Sequence, residues 1–191
     1  MELDVIVVAA HTRPEALRDK AVVLVDVMRA SSVIATALNN GCREVIPLLE
    51  LEETRKRAEG YRPGECLTGG ERGALRIDGF DLGNSPLEYT AEKVKGRSLL
   101  LTTSNGTRAL QKTSQAWLVL VGGFVNALAV VSRLTSIYKR EKDSISGITI
   151  LCAGTNDCLS LDDYCCAGLL SDRLCQAVPG EFALTDSAVA A

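Results

Sequence analysis

The sequence predicts an α/β domain on a largely parallel sheet with covered faces, and three observations carry that prediction. One pattern occurs four times: an apolar run of strand length, a short polar or glycine-bearing loop, then a helix-like segment. The core has to be aliphatic, because 191 residues hold one Trp, three Phe and four Tyr. That length is enough for a single domain with a real core.

The first unit is Ala21 to Val25, which stops at Asp26 and leads into a helix over Ala30 to Asn40, ended by Gly41. The second is Ser98 to Thr102, followed by Thr103-Ser104-Asn105-Gly106 and a helix from Thr107. In the third, Trp117 to Val121 runs through Gly122-Gly123 into a long helix with Asn126 near its start. The fourth is Ile148 to Cys152, then Ala153 to Asp157, then a helix over Leu161 to Gln176. Further strands are expected at Val5 to Ala9 and Glu44 to Leu48, and a solvated, charge-paired helix over Leu49 to Ala58. The glycine-rich stretch Pro63 to Pro86 has no sustained period and reads as a long functional loop. Ser85, Pro86 and Glu88 close it with the signature of a capping box. Right-handed crossovers place the four post-strand loops at one sheet edge, where ligands of open α/β sheets bind.

A net charge of −3 argues against a nucleic-acid partner. No run approaches membrane-spanning length, and the acidic start Met1-Glu2-Leu3-Asp4 lacks the basic region of a signal peptide, so a cytoplasmic protein with no membrane role is expected. The seven cysteines read as reduced, mostly buried thiols. With one histidine, His11, a Ser-His-Asp triad is not expected, and the spacing of Cys152, Cys158, Cys165 and Cys166 does not suit zinc. Self-association into a homo-oligomer is left open.

Several loops are suited to an anion. Thr102 to Arg108 gathers hydroxyls and free N–H groups at a helix start, with Arg108 as a clamp; the competing reading is plain capping. Asp26 followed by Arg29 supplies a base or metal ligand and an oxyanion partner, or an N-cap and its salt bridge. Gly69-Gly70-Glu71-Arg72-Gly73 lets backbone approach a ligand, or is a tight turn. Ser160-Leu161-Asp162-Asp163 is a helix start whose acids also suit a hard cation. Cys66 to Arg72 fits the Cys-x5-Arg pattern of thiol phosphatases, although Glu71 opposes a phosphate and no convincing helix start follows.

Taken in order, these pieces resemble the 2-phosphosulfolactate phosphatase family. The residues that carry the resemblance are Val25 to Ser32, Gly70 to Gly73, Gly79-Phe80-Asp81-Leu82-Gly83-Asn84-Ser85-Pro86, Leu101 to Arg108, Gly122 to Ala127, and Leu151 to Gly154 with Ser160 to Asp163. The resemblance runs from about residue 4 to the end of the chain. It implies a three-layer α/β/α fold with a parallel or mixed sheet. It also implies a Mg²⁺-dependent hydrolase converting 2-phospho-3-sulfolactate to 3-sulfolactate and phosphate, as in coenzyme M biosynthesis. Family members continue several dozen residues past Ser187, so a C-terminally shortened single domain over residues 1–191 is expected.

On this basis the expected metal ligands are Asp26, Glu71, Asp81 and Asp162. Arg29, Arg72 and Arg108 are expected to neutralise phosphate oxygens, and Asp26 and Glu71 to act in catalysis. Thr103, Ser104, Asn105, Gly106, Thr107, Asn84, Ser85 and Asn126 are expected to bind the small anionic phosphate ester. A metal-activated water is the expected nucleophile, with covalent attack by Asp26 as the alternative. The non-phosphatase alternative is a binding protein for a small phosphorylated or sulfonated acid.

Overall fold

The computed structural model describes residues 1–191. It is α/β, as expected, but its strands divide between two sheets. The strands are β1 (Glu2–Ile6), β2 (Ala21–Val25), β3 (Glu44–Pro47), β4 (Cys66–Arg72), β5 (Leu75–Arg76), β6 (Ser98–Thr102), β7 (Leu118–Gly122), β8 (Gly147–Cys152) and β9 (Ala183–Leu184). The first sheet is wholly parallel, in the order β7-β2-β8-β1-β9. The second has the order β3-β6-β4-β5, with β5 antiparallel to β4. The helices are α1 (Ser32–Asn39), α2 (Leu51–Ala58), α3 (Ala91–Val94), α4 (Gly106–Lys112), α5 (Ala127–Glu141), α6 (Leu161–Ala177) and α7 (Asp186–Ala190). The chain crosses between sheets through α1 on the way out and α4 on the way back.

Every residue of β2, β6 and β8 is buried, as parallel strands with both faces covered require. On one face of the first sheet, Leu3, Val5, Val23, Val25, Ile148 and Ile150 pack against Leu134 and Ile137 of α5 and Leu170 and Leu174 of α6. On the other, Val22, Leu24 and Leu151 pack against Ala109 of α4 and against Leu17 of the Pro14–Leu17 turn. That is the three-layer arrangement. The second sheet presents Leu67, Leu99 and Leu101 to Val33 and Ala37 of α1. Its opposite face meets α2, where the Thr54 and Thr102 hydroxyls bond at 2.8 Å.

The Pro63 to Pro86 stretch is not one long loop: β4 and β5 lie inside it. Gly69 and Gly70 are strand glycines forced by crowding. A Cβ on Gly69 would fall 2.3 Å from the Tyr89 hydroxyl, and one on Gly70 would fall 1.8 Å from the Thr102 carbonyl. The capping box also fails to form. Pro86–Glu88 is a single 3₁₀ turn without a Ser85 side-chain cap, and Glu88 accepts instead from the Gly83 N–H at 2.9 Å. The first strand begins earlier than expected because Leu3 and Val5 are its core-facing residues, and Ala9–His11 has already turned. All seven cysteines are free; Cys42, Cys152 and Cys166 are buried, while Cys158 and Cys165 are exposed. No helix is long and apolar enough to cross a membrane.

Candidate active site

Three of the four expected post-strand loops, after β2, β6 and β8, meet at one cleft of about 360 Å³, joined there by the end of β4. The loop after β7 does not reach it. Convergence therefore spans two sheets, not one sheet edge.

The β2 contribution is a π-type turn over Val27–Ser31, with the Ser31 N–H donating to the Asp26 carbonyl at 2.8 Å. Such turns break the helical register and redirect side chains. Ser31 Oγ accepts from the Asp26 N–H at 2.9 Å, and Asp26 Oδ1 accepts from the Ala30 N–H at 3.2 Å. Arg29 is thereby carried over the cleft, its Nη2 reaching the Ala74 carbonyl at 3.4 Å. From the opposite side, a Cβ on Gly106 would lie 2.7 Å from Asp26 Oδ2, so glycine is what lets the α4 backbone meet this carboxylate. Burial pushes the Asp26 carboxyl up to about 6 against the Ala30 hydrogen bond, and the charges of Glu71 and Asp162 push the same way.

Glu71 enters from β4 and is buried. Its Oε1 accepts from the Ser104 N–H at 2.6 Å, and its Oε2 accepts from the Ala74 N–H at 2.9 Å and the Ser104 hydroxyl at 3.1 Å. Asn84, only 7 % exposed, also lines the cleft, and its Oδ1 has no partner in the protein. A buried amide oxygen without a protein donor is costly, and in a cleft it is open to a bound ligand or water.

Asp163 was expected only as a helix-start acid or cation ligand, and the structure gives it an architectural part. It is 2 % exposed, and its two oxygens accept from the Val27 N–H at 2.7 Å and the Gly154 N–H at 3.1 Å. One carboxylate thus ties the β2 loop to the β8 loop. Burial raises it to about 7, with the Asp26 charge adding to that and the two N–H donors opposing it.

A family model described as 2-phosphosulpholactate phosphatase matches residues 6–191. The chain belongs to that family. The relative in Clostridium tetani (strain Massachusetts / E88), named "Probable 2-phosphosulfolactate phosphatase", is 44% identical over 186 residues, covering 97% of this chain and 76% of its own. Its counterpart in Clostridium novyi (strain NT) bears the same name and is 41% identical over 191 residues, covering 100% of this chain and 77% of its own. In Clostridium perfringens (strain SM101 / Type A) a protein of that name is 44% identical over 190 residues, covering 98% and 73%.

Against this 2-phosphosulfolactate phosphatase family background, the structure sorts the expected residues. Asp26, Arg29, Glu71, Asn84, Ser104 and Asn105 line one cleft, with Gly106 packed behind Asp26. Thr103 and Thr107 are buried caps: the Thr107 N–H donates to Thr103 Oγ at 3.3 Å, and the Thr107 hydroxyl to the Thr103 carbonyl. Arg72, on the face of β4 opposite Glu71, donates to the Leu49 carbonyl. Asp81 is exposed and accepts from the Thr68 N–H at 2.8 Å and hydroxyl at 2.9 Å, away from the cleft. Asn126 is spent on the Gly123 N–H and the Val121 carbonyl, both at 2.9 Å. Ser85 is outside the cleft, and Arg108 is exposed in a neighbouring one.

No three His, Cys, Asp or Glu residues come together as a metal site, so the expected quartet is not assembled. The residues present fit a more sparing arrangement. Two buried all-oxygen carboxylates, Asp26 and Glu71, face one cleft, and Mg²⁺ takes one or two carboxylates together with substrate phosphate and water. The Cys-x5-Arg reading is overturned. Cys66 to Arg72 is an extended strand whose ends lie about 20 Å apart. Burial and then Asp81 raise the Cys66 thiol, which disfavours the thiolate.

Proposed function

We propose that this protein is a Mg²⁺-dependent phosphoric monoester hydrolase that converts 2-phospho-3-sulfolactate to 3-sulfolactate and phosphate, a step of the coenzyme M type. The observation that carries the reading is the meeting of Asp26 and Glu71, buried carboxylates from separate sheets, in a cleft that also receives Arg29. Like charges lining one cleft favour a cation between them, and an arginine beside them favours an oxyanion. The relatives' shared name supports the choice of substrate.

Asp26 and Glu71 are the residues that would hold Mg²⁺. When bound, the ion supplies Lewis-acid neutralisation of phosphoryl charge and a more acidic water. Arg29 neutralises a non-bridging oxygen as charge develops, and the Asn84 and Asn105 amides orient the ester. Phosphoryl transfer needs little more from a protein than positioning and electrostatics. The oxygen of water bonds to phosphorus as the ester P–O bond breaks, and the proton of that water ends on the released alcohol. Asp163 fixes the β2 and β8 loops that frame this geometry.

The test is phosphate release from 2-phospho-3-sulfolactate with Mg²⁺, with EDTA, and in Asp26→Asn. Turnover is expected with Mg²⁺ and to be lost in the other two. Full turnover in EDTA removes the ion from the mechanism, undiminished turnover in Asp26→Asn removes Asp26, and none in the parent with Mg²⁺ removes the reading.

A further inference from the structure

Arg108 does not share the cleft with Asp26, and where it does sit assigns it different work. A second cleft of about 270 Å³ is lined by Arg108, Lys112, Asn105 and Asp157. Asn105 lines both clefts and stands between them. Residues 105, 108 and 112 are spaced by three and four along α4, which puts them on one helix face. Neither Arg108 nor Lys112 belongs to any of the three ion pairs in the chain, and Asn105 makes no side-chain cap. Two unpaired cations and a free amide therefore line the second cleft, against one carboxylate, Asp157. The catalytic cleft itself balances one arginine against two carboxylates and has little attraction left for a second anion.

We propose that the second cleft binds the sulfonate of the substrate, so that Asn105 stands between two anion subsites and Arg108 with Lys112 sets specificity for a strong-acid group next to the phosphorylated carbon. This rests on the proposed phosphatase reading. Charge-assisted bonds from an arginine and a lysine give such a group a strong preference over none.

The experiment uses 3-sulfolactate and lactate, which differ only in the sulfonate, titrated by NMR into the full chain with Mg²⁺. The parent is expected to prefer 3-sulfolactate by about tenfold or more, and Arg108→Ala/Lys112→Ala to lose most of that preference. Asp157→Asn is expected to strengthen it, a change of opposite sign that misfolding does not mimic. A parent without preference, a preference kept in the double variant, or an equal loss for both ligands would each overturn the proposal. The last outcome would place the common carboxylate or hydroxyl here instead. Failure of phosphate release with the preference still collapsing in the double variant would sink the phosphatase reading and leave the subsite standing.

Discussion

Glu71 holds Ser104 by both its backbone N–H and its hydroxyl, so the end of β4 and the loop after β6 are fastened by one buried carboxylate. A third bond, from the Ala74 N–H, brings the β4–β5 turn into the same knot. Glu71→Ala is expected to cost about 2–3 kcal/mol in urea unfolding, because buried donors are left without an acceptor. Turnover is expected to fall with it. Glu71→Gln keeps one acceptor oxygen and should recover part of the stability. Equal stability of the Ala variant and the parent would show that the knot contributes nothing.

The pH dependence of stability follows from Asp26. Its carboxyl holds a proton up to about 6 in the fold and to 3.8 ordinarily, so its contribution is full below 3.8 and lost as pH rises through about 6. Asp26→Asn has no charge to bury. In EDTA it is expected to be more stable than the parent by roughly 1–3 kcal/mol at pH 8, with the gap closing near pH 4. Urea melts at the two pH values read this directly. A gap that widened toward acid would have the wrong sign for a buried, charge-repelled carboxylate.

Gly106→Ala separates geometry from charge. The added methyl carbon would lie 2.7 Å from Asp26 Oδ2 and 2.9 Å from Ala30 Cβ, so the carboxylate or the π-type turn has to shift. Displacing a reacting group by about 1 Å costs roughly 10²-fold in rate. Turnover should drop by that order while the variant still melts cooperatively. Parent-like kcat would mean that the site tolerates the shift.

Cys66→Ser is expected to keep turnover within about twofold, since Cys66 opens a strand far from the cleft and its thiol donates to the Leu67 carbonyl. Complete loss would restore the thiol mechanism.

Most of the parallel architecture was legible because buried strands announce themselves: Ala21–Val25, Ser98–Thr102 and Gly147–Cys152 are short runs dominated by aliphatic residues and free of charge. β4 was not legible. Its Gly69-Gly70-Glu71-Arg72 carries neither an apolar run nor alternation, because crowding by Tyr89 and Thr102 leaves room only for glycine. The division into two sheets was hidden too, since strand periodicity does not encode which strands pair. Asp26, Arg29 and the Ser104-Asn105 step, which line the cleft, were singled out as polar residues stopping strands, and Glu71 as an acid flanked by glycines. Arg72 faces away from the cleft, and Asp81 caps Thr68 of β4. Both positions follow from β4 being a strand, and that stretch had been read as a loop. Asp163 had a sequence signal, adjacent acids after a serine, but local spacing does not say which of two neighbours turns inward.

The pairing order has a consequence for the chain as it leaves the ribosome. β1 and β2 do not pair with each other: β1 lies against β8 and β9, and β2 against β7 and β8. A nascent chain halted before residue 118 already contains all of the β3-β6-β4-β5 sheet, yet its first two strands have no partners. The interrupted sheet waits for the last third of the sequence, a non-local closure of the kind that folds slowly. Until then the β2 loop lacks the Asp163 carboxylate that holds its Val27 N–H, because α6 has not yet been made.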